Sequence, residues 1–391
     1  MIHSIEDLDL DGRVTFIRVD FNVPITPDGK VGDDNRIRAA LPTIRLAREK
    51  GARVVLASHL GRPKGQRNPK ESLEPAAAAL ARLLDTEVVF ADDCVGEGVR
   101  KNIRDTRPGD IVLLENTRFH PGETANDEEF SRALADGVEV YVNDAFGSAH
   151  RAHASTVGMV RFVRAKGAGL LMKKELEHLG QLLGSPKRPF VAILGGAKVS
   201  DKIGVLQSLV DECDAILIGG AMAYTLLKAK GVDVGSSRVE DDSLKVAEQF
   251  LKSAEARKVN VLLPQDHVVA TAFQQDAEPS VVSEIAEAQM GLDIGPKTRA
   301  AYRDAILGAK TVFWNGPMGV FEWDHYAQGT FDVAEAVADS EALAVVGGGD
   351  SVSAVNKSGM ADRVTHVSTG GGASLEFVEG KTLPGVAALE V

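Results

Sequence analysis

The sequence predicts an α/β protein made of two doubly wound, Rossmann-like parallel-sheet domains joined by a helix and hinge. Three observations carry that prediction. Continuous apolar runs rich in β-branched residues alternate with longer stretches of helical spacing, the pattern of parallel βαβ units with both sheet faces covered. The rhythm is interrupted once, by a helical stretch at 170–183 followed by the breaker GSPKRP, and then resumes. Finally, 391 residues exceed what one core ordinarily holds, at about 100–200 residues per domain.

Taken in order, RVTFIRVD reads as a strand and RIRAALPTIRLAREKG as the helix after it. ARVVLASHL, SLEPAAAALARLLD and TEVVFADD repeat the strand, helix, strand alternation, and DIVLLEN and VEVYVNDAF extend it. The expected first domain is 1–170. In LLMKKELEHLGQLL, Leu171, Glu175, His178 and Leu182 fall on successive turns of one interdomain helix, assigned to 171–185, which Gly184, Pro186 and Pro189 then end. PFVAIL starts a second parallel series that continues through AILIGG, NVLLPQD, TVFWNG and ALAVVGGGD, giving a second domain at 186–372. The remaining segment, 373–391, is expected to pack back on the first domain.

The formal net charge of −12 and pI near 5.3 exclude the cationic field that nucleic acid or an anionic membrane requires. No run of about 18 apolar residues is present, and the acidic start MIHSIEDLDLDG is not an export signal. A cytoplasmic monomer acting on small molecules is expected. Cys94 and Cys213 stand far apart, fit neither a disulfide framework nor a metal-ligand spacing, and read as buried apolar thiols.

In the second half one local device recurs: AILGGAK at 192–198, ILIGGAM at 216–222, VVGGGDS at 345–351 and VSTGGGAS at 367–374. Glycine at a strand's carboxyl end lets backbone N–H groups approach a phosphate, and the next helix start favours negative charge. One such turn is equally a tight connection, but four in one domain point to a single glycine-lined phosphate site. Neither the Walker spacing nor GxGxxG is present, so a nucleotide-dependent dehydrogenase loses its expected fingerprint. Asp350 is open to two readings, a Mg²⁺ ligand beside a polyphosphate or an N-cap for the next helix. In FWNGPMGVFEW, Glu322 is available to bond a ribose hydroxyl, while the turn with Asn315 and Gly316 reads as structural.

The first half places polar residues where its strands end: Asp20 and Asn22, His59 and Arg62, Arg118, then His150, Arg151 and His153, with Arg36 close by. Singly, each Arg is an ordinary surface charge; repeated at one sheet edge they make an anion cradle, because guanidinium forks bind phosphate and carboxylate oxygens bidentately. No HExxH or Cys/His sequence cluster accompanies these histidines.

With VDFNVP, SHLGRP, ENTRF, GSAHRAH, LGGAKVSDKI, DIGPKT, WNGPMGVFE, VVGGGDS and STGGGASLE in this order, the chain resembles the phosphoglycerate kinases over essentially its whole length. The resemblance implies reversible phosphoryl transfer between 1,3-bisphosphoglycerate and ADP, giving 3-phosphoglycerate and MgATP in glycolysis, with the glycerate on the amino-terminal domain and the nucleotide on the carboxyl-terminal one. It assigns Asp20, Asn22, Arg36, His59, Arg62, Arg118 and Arg151 to the phosphoglycerate. Lys198, Lys202, Gly219, Gly220, Gly291, Asn315, Glu322, Gly348, Gly349, Asp350 and Ser351 go to the nucleotide, and Asp350 also to Mg²⁺. Arg36, Lys198, Gly349 and Gly372 are the implied catalytic groups, with Gly370 to Gly372 completing the backbone cradle. Hinge closure is implied as well, with Arg62 pairing with Asp201 in the closed state. The hinge stretch VRFVRAKGAGLLMKKEL, Ala221 in IGGAM and Ser351 in GGDS depart from the usual family wording. A non-catalytic nucleotide-binding scaffold remains the further alternative, and it gives no reason for Arg36 and Lys198 to stand together with the glycerate cluster.

Overall fold

A computed structural model describes residues 1–391. The chain divides into two compact units, Met1–Glu177 with Thr382–Val391, and His178–Lys381. The helix Leu170–Gly184 runs across the first division and ends at the glycine of the breaker. Of the segment 373–391, only the last ten residues count with the first unit. Residues 373–381 stay with the second, because the helix Gly372–Val378 is tied there by Ser208, whose hydroxyl donates to the Val378 carbonyl at 2.8 Å.

The first unit is built on six parallel strands: β1 (Val14–Arg18), β2 (Arg53–Ala57), β3 (Val89–Phe90), β4 (Ile111–Leu113), β5 (Val140–Asn143) and β6 (Ala165–Ala168). They lie in the order β3-β4-β2-β1-β5-β6. All five residues of β1 and all four of β5 are buried, which is why these runs are continuous rather than alternating. The carboxyl-terminal segment closes on this unit: Asn143 donates to the Gly385 carbonyl at 3.3 Å and Lys166 to the Ala388 carbonyl at 2.9 Å.

The second unit repeats the plan with β7 (Phe190–Leu194), β8 (Ala215–Ile218) and β9 (Asn260–Leu262) on one side. A feature that the apolar pattern does not announce follows: β10 (His267–Ala270), β11 (Ser280–Val282) and β12 (Met290–Ile294) form a separate three-stranded antiparallel sheet. The chain then returns through β13 (Thr311–Asn315), β14 (Leu343–Val346) and β15 (His366–Val367), giving the order β15-β14-β13-β7-β8-β9. β11 is exposed at Ser280 and Val281, and the mostly buried β10 and β12 carry His267 and Asp293 within them, so this sheet lacks the continuous apolar signal of the parallel strands.

In each sheet the strand order reverses once, between β1 and β5 and between β7 and β13. Ligands of doubly wound sheets bind beyond the carboxyl ends of the strands at such a reversal. The turns after β1 and β5 carry Asp20, Asn22 and the GSAHRAH stretch; those after β7 and β13 carry LGGAK and NGPMG. No helix is long and apolar enough to cross a membrane.

Candidate functional site

The first unit links Asp20, Asn22, Arg36 and Arg118 into one bonded cluster. Arg36 pairs with Asp20 at 3.0 Å, and the Asp20 carboxylate also accepts from the Asn22 backbone N–H at 3.2 Å. The Asn22 amide oxygen accepts from Gly61 N–H at 3.0 Å, and Arg118 donates to the Gly61 carbonyl at 2.7 Å. Arg62, Arg118, Arg151 and His153 line a cavity of about 490 Å³ together with Lys64. Burial, with the charges of Arg151 and Arg18, lowers the Arg118 guanidinium to about 10, so it stays cationic at neutral pH.

Beneath this cavity runs a buried network that sequence reasoning missed. Arg18, 1% exposed, donates from Nε to the Ser155 hydroxyl at 2.8 Å and from a terminal nitrogen to the Val19 carbonyl. Its other terminal nitrogen meets His59 Nδ1 at 3.1 Å. A guanidinium only donates, so Nδ1 must accept and the His59 proton sits on Nε2. Burial first, and then the Arg18 charge, hold this imidazole neutral, well below its ordinary value. Ser155 passes the network on to the buried Glu123, donating from its hydroxyl at 2.6 Å and its backbone N–H at 2.9 Å. His153, with Nδ1 3.9 Å from the Glu123 carboxylate, is pushed down to about 4 by burial and the arginines around it. The available signal was an arginine inside the otherwise apolar run VTFIRVD.

In the second unit the site is made by backbone approaching backbone. Gly195 N–H donates to the Asn315 carbonyl at 2.9 Å, Gly196 N–H to Pro317 at 3.1 Å and Gly220 N–H to Met318 at 2.8 Å. A Cβ on Gly195 would fall first on the Pro317 carbonyl and then meet the Gly316 carbonyl and the Met318 methyl at 2.8 Å each, and Gly196, Gly220 and Gly316 have positive φ, a backbone that favours glycine. These crossings frame a mostly apolar cavity of about 410 Å³ whose lining includes Gly220, Gly291, Glu322 and Asp350. Gly219 stands behind it, its N–H on the Leu194 carbonyl at 2.9 Å. Tyr224, Arg238, Phe273 and Met318 also line the cavity, and sequence reasoning named none of them as site residues. Phe273 is 62% exposed and its ring meets Trp323 at 4.7 Å. An aromatic alone in the polar stretch TAFQQDAE was the clue.

Lys202 donates to the Asn315 amide oxygen, and the Asn315 amide nitrogen donates to the Gly347 carbonyl at 2.7 Å. Asn315 is therefore a bridge between Lys202 and the VVGGGDS turn, not only part of a structural turn. Burial lowers the Lys202 ammonium, opposed chiefly by the carboxylates of Asp350 and Asp201. The Ser351 hydroxyl accepts from Gly316 N–H at 2.5 Å. Lys198 and Asp201 are exposed.

The two readings of Asp350 separate here. The N-cap of helix Gly349–Ser358 is Gly348, with φ 90, and no side chain caps that end. Asp350 lies inside the first turn, exposed and lining the cavity, where it offers the hard oxygen that Mg²⁺ prefers. Gly370 N–H donates to Ser368 at 3.1 Å, and Gly372 begins the helix Gly372–Val378 behind Gly371 at φ 52.

The phosphoglycerate kinase family model matches residues 5–381. The chain belongs to the phosphoglycerate kinase family. It is 61% identical over 393 residues to the phosphoglycerate kinase of Anaeromyxobacter dehalogenans strain 2CP-C, covering 100% of this chain and 99% of that one. Against the phosphoglycerate kinase of Clostridium botulinum strain Hall the identity is 53% over 390 residues, with 99% and 98% covered. Among solved structures, phosphoglycerate kinase from Coxiella burnetii superposes with TM-score 0.91 at 40% identity, covering 100% and 99% of the two chains. That from Pyrococcus horikoshii OT3 gives 0.86 at 34%, covering 100% and 98%. The chain is thus a phosphotransferase kinase acting on small molecules, and the motif order that suggested the family extends to the whole fold.

Proposed function

We propose that the chain carries out the family's reaction in full: the acyl phosphate of 1,3-bisphosphoglycerate passes to ADP, giving 3-phosphoglycerate and ATP, reversibly. The observation that carries this reading is the 490 Å³ cavity where Arg62, Arg118 and Arg151 converge, a cationic cradle in a chain of net charge −12. In the reaction the bond between phosphorus and the acyl oxygen breaks, its electron pair stays on the leaving carboxylate, and an oxygen of the ADP β-phosphate bonds to phosphorus. A carboxylate with an ordinary pKa near ~4 is ionised at neutral pH, so the reverse direction needs no general base.

The residue roles are those that the family resemblance implies. Asp20, Asn22, His59, Arg62, Arg118 and Arg151 hold the glycerate, with Arg36 and Lys198 meeting charge on the moving phosphoryl group. Backbone N–H groups of the 348–351 and 370–372 turns, with Lys202, cradle the nucleotide phosphates, while Gly219, Gly220, Gly291, Asn315 and Glu322 shape the rest of its pocket. Asp350 holds Mg²⁺, which supplies charge neutralisation on the phosphates. The remaining work is positioning and electrostatics, which suits a loose phosphoryl-transfer transition state.

With the glycerate residues on one unit and the nucleotide residues on the other, the reaction requires the units to close and exclude water. A cytoplasmic monomer completes the proposal. A coupled assay of ATP formation tests the chemistry: Lys198→Ala should lose most of its turnover with its fold intact, and undiminished turnover refutes the assignment. Small-angle scattering with both substrates bound should show compaction; unchanged dimensions rule out closure.

A further inference from the structure

Sequence spacing offered no metal ligands at either cysteine, but the fold brings three donors together around Cys94. Asp93, Cys94 and His120 place a carboxylate oxygen, the sulfur and a ring nitrogen all within 4.8 Å of one another. His120 follows Cys94 by a helix, a strand and a short turn, so no local motif records the meeting. Its Nε2 lies 2.5 Å from an Asp93 carboxylate oxygen, and its ring is stacked on Phe130 at 4.7 Å, which fixes its plane. The Asp93 carboxylate is further held by the Cys94 backbone N–H at 2.6 Å.

We propose that Asp93, Cys94 and His120 form a binding site for a thiophilic divalent cation of the zinc class, separate from both substrate cavities. Three protein donors of mixed sulfur, nitrogen and oxygen type leave one position of a tetrahedral ion open to water. Thiolate and imidazole select such an ion over Mg²⁺, which prefers oxygen alone. Access is present, since the Asp93 and His120 side chains are 45% and 28% exposed while the sulfur lies buried beneath them. Burial first, and then the carboxylates of Asp93, Glu123 and Glu115, push the Cys94 thiol well up, so the sulfur keeps its proton until an ion displaces it, while the same carboxylates favour a cation here; Arg67 approaches Glu115 only to 4.0 Å.

Binding is a proton exchange. The sulfhydryl, now donating to the Glu115 carbonyl at 3.0 Å, loses its proton to solvent and its sulfur bonds the ion. The hydrogen bond between Asp93 and His120 opens, and neutral His120 carries its proton on Nδ1 so that Nε2 ligates. No electron changes hands.

Cadmium is the probe, since its bond to a thiolate gives an ultraviolet charge-transfer band. Titrating the full-length, metal-free protein with Cd²⁺ should develop the band at one equivalent per chain, with Zn²⁺ competing and Mg²⁺ not. The band should persist in Cys213→Ser and vanish in Cys94→Ser. Because a buried serine at 94 puts folding at risk, His120→Gln, at a partly exposed position, is the second variant and should also abolish stoichiometric binding. No band in the wild type, a band lost with Cys213→Ser, or a band unchanged in His120→Gln overturns the proposal.

Discussion

The two units hold their candidate sites together by opposite means. In the first, side chains do it: Arg18 is buried, 1% exposed, and reaches His59 and Ser155, with Glu123 one hydrogen bond further on. In the second, the backbone does it: Gly195, Gly196 and Gly220 pass within hydrogen-bond distance of the 315–318 turn, on carbonyls that leave no room for a Cβ on Gly195. The difference teaches that a scaffold is expensive when held by buried ions, which must each be compensated, and inexpensive when held by peptide groups, whose N–H and carbonyl partner one another within the fold. The first site should therefore fail electrostatically and the second sterically.

Arg18→Met should do the most damage. It leaves Glu123 buried without the nearby cation, and removing one member of a buried charged network costs about 3–5 kcal/mol. Denaturant unfolding monitored in the first unit should register a loss of that size, together with weakened 3-phosphoglycerate binding and unchanged nucleotide binding. If the loss is no greater than that of a glycine substitution in the second unit, the comparison is wrong.

Gly195→Ala comes next. The added methyl falls on the Pro317 carbonyl, with the Gly316 carbonyl and Met318 also in contact, and overpacking of this kind costs about 1–3 kcal/mol. Calorimetric titration should show nucleotide affinity falling while 3-phosphoglycerate affinity holds, the mirror image of the Arg18 result. Retained nucleotide affinity breaks the steric reading.

The smallest effects are in pH dependence, and their signs differ between a buried imidazole and a buried carboxyl. Burial depresses His153 to about 4, against an ordinary imidazole near ~6.5. Its contribution to stability is present above the unfolded value and is lost as pH falls through the folded one. An NMR titration should find this ring neutral at pH 5; an inflection near ~6.5 contradicts its burial among arginines. In the second unit burial raises Asp293 to about 7, although it accepts N–H groups from Gly329 and Ile294. The native state then keeps a proton that the unfolded chain, ordinary value near ~3.9, has released. That contribution is full at low pH and declines as pH rises through about 7. Asp293→Asn should flatten the decline in a series of melting temperatures measured against pH. Asp144, raised by burial to about 7, adds a parallel decline in the first unit, so the test is the difference between variant and wild type.

Much of this was legible in the linear chain. Apolar runs such as PFVAIL and AILIGG announced parallel strands because burial on both faces demands them, and glycine pairs at their ends announced close backbone approach. Less legible were the antiparallel strands β10 to β12, where an exposed β11 and the polar His267 and Asp293 within the buried strands dilute the pattern, and Phe273, whose place on the cavity wall depends on a distant partner. Asp350 was undecidable in sequence because an N-cap and a cavity ligand use the same residue type after the same glycines.

By itself, then, the sequence determined the class of fold, the breaker-ended helix between its halves and the residue types available at each strand end. These are local consequences of periodicity and turn chemistry, fixed within a few neighbouring residues. The tertiary structure alone decided that β7 lies beside β13, so that Gly195 meets the turn at Asn315, that Arg18 is sealed beneath His59, and that Cys94 faces His120. Such meetings follow from strand order and packing between residues far apart in the chain, and no local pattern encodes which distant partner a buried group will find.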